Sequence, residues 1–394
     1  MKTSLLAAST LALLPFATAT EPILVTVRPV AAPTPPPVLI GTPTKLRAAA
    51  APAAQGTLYS IGDPTDEEQY YLELINRARA NPTAEGVRLA TTTDPSVLSA
   101  YSYYSVDLTM MQTEFAALPV RPPLALNALL TQAARGHTAD LYTNAFQGHV
   151  GTDGRTLGQR VTATGYAWNS LGENVYSFAD YVWQGHAGFQ VDWGTGGTGG
   201  MQTGRGHRAN IHGDFREVGI GVINGTNTVG SSTVGPQLVT QDFGTASQYF
   251  VTGVAYYDLD GDSFYDPGEG VGGLTVEVSG SSYYAVTTAS GGYAVPVPSA
   301  TTTRTVTFTG PDLAHTLNVA LTVNQNAKAD HTAAYAAPVV TGSTTPPTAV
   351  ATTYAFTALP GATGYEWQQA TRSAFANDDA DSLASISSAQ DLPY

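Results

Sequence analysis

Residues 192–223, "DWGTGGTGGMQTGRGHRANIHGDFREVGIGVI", hold a literal G-x-G-x-x-G at Gly194, Gly196 and Gly199. A dinucleotide fingerprint needs a buried strand before it and a helix opening after it, so that backbone N–H groups and the helix dipole face the pyrophosphate. The preceding "GFQVDW" is a poor buried strand, and further glycine follows. Asp214 falls about 20 residues on, but no βαβ unit surrounds it. The glycines are therefore expected to supply backbone freedom, as a mobile lip ahead of His207. Beyond His207 the pattern turns to strands. "EVGIGVI" (217–223) and "PQLVTQDFG" (236–244) alternate like a half-buried sheet, with a Gly/Asn/Thr hairpin between them.

Upstream, helices precede this sheet. In "DPTDEEQYYLELINRARANP" (63–82), Thr65 and Glu68 have capping-box spacing and Asp66 to Glu68 place negative charge at the helix start. Tyr71, Leu72, Ile75 and Ala78 make one apolar face, and Asn81-Pro82 ends it. A second helix is predicted over Asn127 to Ala145, with Leu130, Ala133, Ala134, His137 and Leu141 on one side. The tyrosine-rich stretch near 87–120 carries no clear period. Downstream of about residue 248, short Val/Thr/Tyr runs near 283–288, 293–297, 304–309 and 316–323 alternate with Gly and Pro turns, which predicts a β-sandwich.

The 394-residue length implies two or three domains. A net charge of −14 without Lys/Arg clusters argues against a nucleic-acid partner. With no Cys there is no disulfide, thiol nucleophile or thiolate metal site. Residues 1–19, with Lys2, an apolar run from Leu5 to Phe16 and Ala17-Thr18-Ala19, read as a secretory signal peptide. Secretion, with the periplasm as a transit compartment, is the expected localisation. No later apolar run approaches the roughly 20 residues a transmembrane helix needs. Residues 20–62 are expected to be a Pro/Ala-rich linker, 63–247 the mixed domain and 248–336 the sandwich. A second linker follows at 337–350, then an incomplete β-module or disordered tail at 351–394.

Four polar groups stand out among small residues: His149 in "FQGHVGTDGRT", Glu173 in "LGENVY", Asp192 in "FQVDW" and His207 in "GRGHRANI". Two imidazoles and two carboxylates are an adequate shell for Zn2+ or another divalent cation, and equally adequate for paired His–carboxylate hydrogen bonds. Spacing does not choose between these. The ordered pieces "LELINRARANP", "PLALNALLTQAARGHTADL", "GHVGTDGRTLGQRVTATGY", "GENVY", "GHRANIHGDFREVGIGV" and "LVTQDFG" resemble the CAP superfamily (cysteine-rich secretory proteins, antigen 5 and pathogenesis-related proteins) in its bacterial SCP-like branch. The resemblance implies an α+β fold, an α-β-α sandwich with a cleft holding a His/Glu/Glu/His tetrad. His149, Glu173 and His207 match three of its members; Asp192 stands where the family often has Glu. It further implies divalent-cation binding, with His149 and His207 as the metal ligands, and binding of a lipid or small apolar ligand. A metal-assisted peptide or ester hydrolase, with Glu173 as general base beside His149 and His207, is the enzymatic alternative. A surface or matrix interaction protein with a purely structural tetrad is the third. Whether the chain is an enzyme stays open.

Of the other histidines, His137 reads as a hydrogen-bonded core residue, His186 as close enough in sequence to Asp192 to border the cleft, and His212 as a helix terminator. Arg208 is expected to pair with a carboxylate.

The second chemical signal is "DLDGDSFYDPGE" (258–269). Asp258, Asp260, Asp262, Asp266 and Glu269 fall at loop positions that ligate Ca2+ in EF-hand spacing, with the Phe264 carbonyl at the seventh. Ser263 occupies the place of the usual glycine and must take a positive φ. Flanked by strands, this loop resembles the Asp-rich opening of B-type sandwich repeats of Gram-positive adhesins. That resemblance implies an all-β immunoglobulin/prealbumin-like sandwich, stabilised by Ca2+ and acting as a spacer.

Overall fold

The computed structural model describes residues 56–310 and 313–333, together with the backbone of short strands at Thr10–Leu13, Leu24–Pro29, Val340–Thr341, Thr352–Phe356, Tyr365–Ala370 and Leu383–Ser387. Expectations for the signal peptide, for most of 20–62, and for 337–350 and 351–394 therefore fall largely outside the described residues. Lys45–Ala333 make one compact unit; Met1–Thr44 with Ala334–Tyr394 make another.

Helix α1 (Asp66–Ala80) begins at the predicted capping box: Thr65 accepts from the Glu68 backbone N–H, and Glu68 accepts from that of Thr65. Asn81 closes α1 and caps the next helix, α2 (Pro82–Ala90), through the Ala84 N–H. The tyrosine-rich stretch forms two more helices, α3 (Pro95–Tyr104) and α4 (Leu108–Ala116), capped by Asp94 and Asp107. Strand β1 (Thr57–Leu58) precedes them, and β2 (Ala125–Leu126) leads into α5 (Ala128–Asn144). The apolar side of α5 is buried as its period predicts, His137 included. There follow α6 (Leu157–Ala163), β3 (Ser170–Ala179), α7 (Val182–Val191), α8 (Gly206–Ile211) and β4 (Glu217–Asn224). The hairpin β5 (Asn227–Val229) and β6 (Ser232–Val234) then leads to β7 (Gln237–Thr245).

The sheet runs β2-β4-β7-β3, so β3 is an edge strand. Helix α5 covers one face so closely that a Cβ on Gly219 would meet the Leu130 carbonyl carbon at 2.0 Å, and one on Gly221 the Arg135 nitrogen at 2.5 Å. Those two glycines clear the α5 face of β4 at 219 and 221, while Glu217 on the same face accepts from Asn127 at the start of α5. Val218 and Ile220 point the other way, into a core with Tyr71, Leu74 and Ile75 of α1 and Val182 and Phe189 of α7. The result is a helix–sheet–helix sandwich.

Strand β8 (Tyr249–Tyr257) follows β7 almost directly and starts the all-β module, joined by β9 (Thr275–Val278), β10 (Tyr283–Val286), β11 (Gly292–Val297), β12 (Thr302–Gly310), β13 (Leu313–Leu321), β14 (Ala327–Lys328) and β15 (His331–Ala333). One sheet centres on β8, flanked by β11 and by β14 and β15; the other runs β13-β12-β9-β10-β1. Val251, Tyr293 and Val295 of the first pack against Val276, Val306 and Phe308 of the second.

This module is not strung on a linker. Its Phe250 and Ala294 belong to the same core as Tyr71 and Ile61, and Lys328 pairs with buried Glu73 of α1 at 2.8 Å. Strand β1, inside the stretch expected to be linker, pairs in parallel with β10 and so edges the β-module from before α1.

Candidate functional site

Strand β3 positions the first acid. Period-two alternation sends Asn174 and Tyr176 toward α7 and α8, while Glu173 and Val175 face α5. Accordingly the Asn174 amide donates to the His207 carbonyl, and Val175 packs with Leu141. Glu173 Oε1 takes a 2.8 Å hydrogen bond from His149 Nδ1, and Oε2 one from Arg160 of α6. The Glu173 and Arg160 side chains are 3% and 7% exposed, whereas the His149 side chain is 61% exposed. Burial pushes the Glu173 carboxyl up, but the His149 hydrogen bond and the Arg160 charge hold it below its ordinary value. That same hydrogen bond raises His149.

Directly across the sheet from Glu173 stands Asp242, fully buried with its carboxyl against that of Glu173. Burial, then the Glu173 charge, drive its carboxyl well above the usual range.

The second pair lies on the other side of β3. Asp192 ends α7 in a left-handed conformation, φ 57°, which turns its side chain back to α8. Its Oδ1 accepts from His207 Nδ1 at 2.7 Å and its Oδ2 from the His207 backbone N–H at 3.2 Å. Asp192 is 1% exposed, and the His207 ring leans on Phe189 with centroids 5.3 Å apart. Asn210 ties α8 to β3 by donating to the Glu173 carbonyl and to Asn174 Oδ1.

The four groups thus form two carboxylate–imidazole pairs that flank the edge strand from its two faces. They are not one four-donor shell. The acids are the buried orienters, each fixing one ring nitrogen and leaving Nε2 for another partner. Glu173 has no oxygen facing water to act as a general base.

The surroundings correct or extend the sequence reading at several points. The glycine-rich lip is pinned rather than loose. Trp193 bridges Met201, the Gly194 N–H bonds the Gly200 carbonyl, and the Asp107 N–H bonds the Gly199 carbonyl. At Gly200, φ 70°, a Cβ would meet the Tyr104 carbonyl oxygen at 2.3 Å, so glycine lets the lip press on the α3–α4 corner. Helices α3 and α7 enclose a groove of about 410 Å3 that includes Tyr103, Tyr104, Ser99, Asp180 and Gln184. His186 does not reach the surface: it is fully buried, bonded to Glu85 at 3.0 Å. His212 terminates α8, and burial, then Arg79 and Arg208, push its imidazole down to about 3. Arg208 pairs with Glu114 at 2.5 Å. Sequence reasoning missed Arg160 and Asp242. Arg160 had a faint signal in the Thr156–Gln159 capping box that builds α6; Asp242 had none without knowledge of strand register.

In the acidic loop, Asp258, Asp260 and Asp262 each offer a carboxylate oxygen within 4.8 Å of the others, the one such trio of acid or imidazole donors among the described residues. Ser263 takes φ 64°, as the spacing requires. Asp266 and Glu269 stand outside that trio. Glu269 spends Oε1 on the Leu259 N–H and Oε2 on the Asp266 N–H. Burial first, then neighbouring acids, raise both Asp266 and Glu269. Phe264 turns its ring under Arg77 of α1, 4.7 Å from the guanidinium carbon.

Residues 72–243 match the family model described as CAP, the cysteine-rich secretory protein family. That stretch is a CAP domain. A solved extracellular protein containing a SCP domain, from Bacillus anthracis str. Ames, is similar at 20% identity over 39% of this chain and 45% of that one, with a TM-score of 0.25. The CAP-containing chain thus spans under half the length of that protein. No curated protein matches. No helix among the described residues is long and apolar enough to cross a membrane.

Proposed function

We propose that this is an extracellular CAP-domain protein that binds a divalent cation of Zn2+ type without turnover, His149 and His207 reaching it over the free edge of β3 from the strand's two faces. The observation that carries the reading is the disposition of the two pairs. In each, a buried carboxylate holds Nδ1 and the imidazole remains solvent-accessible, 61% for His149 and 22% for His207. A metal-binding histidine needs this arrangement, because the bonded nitrogen fixes the tautomer and leaves a lone pair at Nε2. A purely structural pair gains nothing from leaving the ring in water. The hydrolase alternative is disfavoured because both Glu173 oxygens are committed. A lipid or small apolar ligand would take the tyrosine-lined groove between α3 and α7, where Gln184 lies 3.5 Å from the Tyr176 hydroxyl.

For the β-module we propose Ca2+ at Asp258, Asp260 and Asp262, with the Phe264 carbonyl and water completing the shell. Asp266 and Glu269 then shape the loop from outside. The support is the close approach of three carboxylates, which repel one another unless a cation offsets them. Zinc titration of the full chain tests the cleft: His149→Ala/His207→Ala is expected to weaken uptake by at least about tenfold. Unchanged affinity in the double variant would remove the cation reading. Hydrolysis of peptide or ester panels, lost in that variant, would restore the enzymatic one.

A further inference from the structure

Of the seven histidines, three are buried in the CAP domain, His186 among them on Glu85, and two more, His149 and His207, hold carboxylates. The remaining two, His315 and His331, meet in the β-module and have no acid partner in any described contact. His331 on β15 is 4% exposed, and neither ring nitrogen has a hydrogen-bonding group. A buried polar group left unpaired costs about 1–3 kcal/mol. Such a cost is ordinarily offset by a water, an ion or a ligand.

His315 stands beside it. This residue lies on β13 opposite Phe308 of β12, while His331 lies opposite Ala255 of β8, so the contact joins the two sheets. The ring centroids are 4.7 Å apart with planes tilted by 35°. Phe308 stacks on His331 from one side, 5.1 Å away at 27°, and fixes the buried ring. His315 is exposed, so the pair has one dry and one wet member.

The spacing limits the angle at any ion that one nitrogen of each ring would share. With N–metal bonds of about 2.1 Å and about 1.15 Å from nitrogen to ring centre, a shared ion lies about 3.2 Å from each centroid. Centroids 4.7 Å apart then subtend about 95° at the ion, close to the cis angle of a square-planar or octahedral site and short of the tetrahedral value. Rotation about the two N–metal bonds accommodates the observed tilt.

We propose that His315 and His331 form a two-imidazole site for a divalent transition ion that favours cis-planar ligation, Cu2+ foremost, clasping the two sheets of the β-module. Water fills the open positions on the exposed side. This site is independent of the cleft and of the acidic loop, whose hard oxygen donors suit a different class of ion.

The test is Cu2+ titration of the untagged full chain by calorimetry and visible absorption, with thermal unfolding followed in parallel. His315→Ala is the decisive variant, because an exposed residue is removed and the fold is kept. One equivalent of Cu2+ should remain in His149→Ala/His207→Ala, and affinity should fall at least about tenfold in His315→Ala. Copper should raise the unfolding midpoint of wild type and of the cleft variant, and leave His315→Ala unmoved. Wild-type affinity in His315→Ala overturns the proposal. So does loss of copper only when the cleft pair is removed, a result that would assign all transition-metal binding to His149 and His207. His331→Asn serves as the second variant, expected to lose copper like His315→Ala.

Discussion

Replacing Glu173 by Gln should separate the charge of this residue from its shape. Glu173 and Arg160 form an ion pair whose side chains are 3% and 7% exposed, so the guanidinium would be left without its counter-charge. Removing one partner of a buried pair costs about 3–5 kcal/mol. Glutamine keeps an oxygen for Arg160 and recovers about 1 kcal/mol as a neutral hydrogen bond. Asp242 also loses a charged neighbour. The expected net loss is about 2–3 kcal/mol, a fall in Tm of roughly 3–5 °C for a unit of this size.

The pH dependence has a definite sign. A carboxyl depressed in the folded state stabilises above its unfolded value and loses that stabilisation as pH falls through the folded one. A raised imidazole stabilises below its unfolded value and loses that contribution as pH rises through the folded one. Glu173 is depressed and His149 raised. The difference between wild type and Glu173→Gln should therefore peak at about pH 5–6.5, shrink toward pH 8 to the Arg160 part, and vanish in acid. Chemical denaturation across pH, with NMR titration of His149, measures both. In the variant His149 should titrate lower than in wild type. Equal midpoints at every pH, or an unmoved His149 titration, would refute the paired arrangement.

Three further outcomes are expected. Adding Ca2+ at a hundredfold excess over its Kd should stabilise the β-module by about 2.7 kcal/mol relative to chelator, and Asp260→Asn should diminish the effect; a midpoint indifferent to chelator would sink the calcium assignment. Gly219→Ala would put a methyl 2.0 Å from the α5 backbone, forcing helix and sheet apart at a cost of about 3 kcal/mol or more, read as lost soluble yield or a large Tm drop; near-wild-type stability would contradict the α5–β4 packing. Although burial opposes it, the His186 hydrogen bond and Arg77 hold Glu85 down to about 2, so its stabilisation should disappear between pH 4.5 and 2. Glu85→Gln should flatten that acid limb in urea titrations, and identical limbs would argue against the pairing.

Much of the architecture is legible in the amino-acid order alone. The Thr65–Glu68 capping box, the apolar stripe of α5 and the alternation of "EVGIGVI" are short-range signals, written by residues within a few turns of one another. The positive φ of Ser263 follows from its loop position. Rejecting phosphate binding at the Gly194–Gly199 stretch needs only the missing strand and helix, although the lip is pinned against the α3–α4 corner through contacts that no local pattern encodes.

The identities of His149, Glu173, Asp192 and His207 are likewise readable, and their pairing is not. Strand register places Asp242 behind Glu173, and side-chain alternation sends Glu173 and Asn174 to opposite faces of an edge strand. Both depend on which strands meet. The fusion of the β-module to the CAP core through Phe250, Lys328 and strand β1 depends on contacts across more than a hundred residues, and the two β-module histidines meet only because two sheets do. Local sequence dictates which helices and strands form and which side chains carry chemistry. The folded arrangement then selects which of those side chains share a charge, because electrostatic partnership is set by distance in space and by burial, and neither is a local property of the chain.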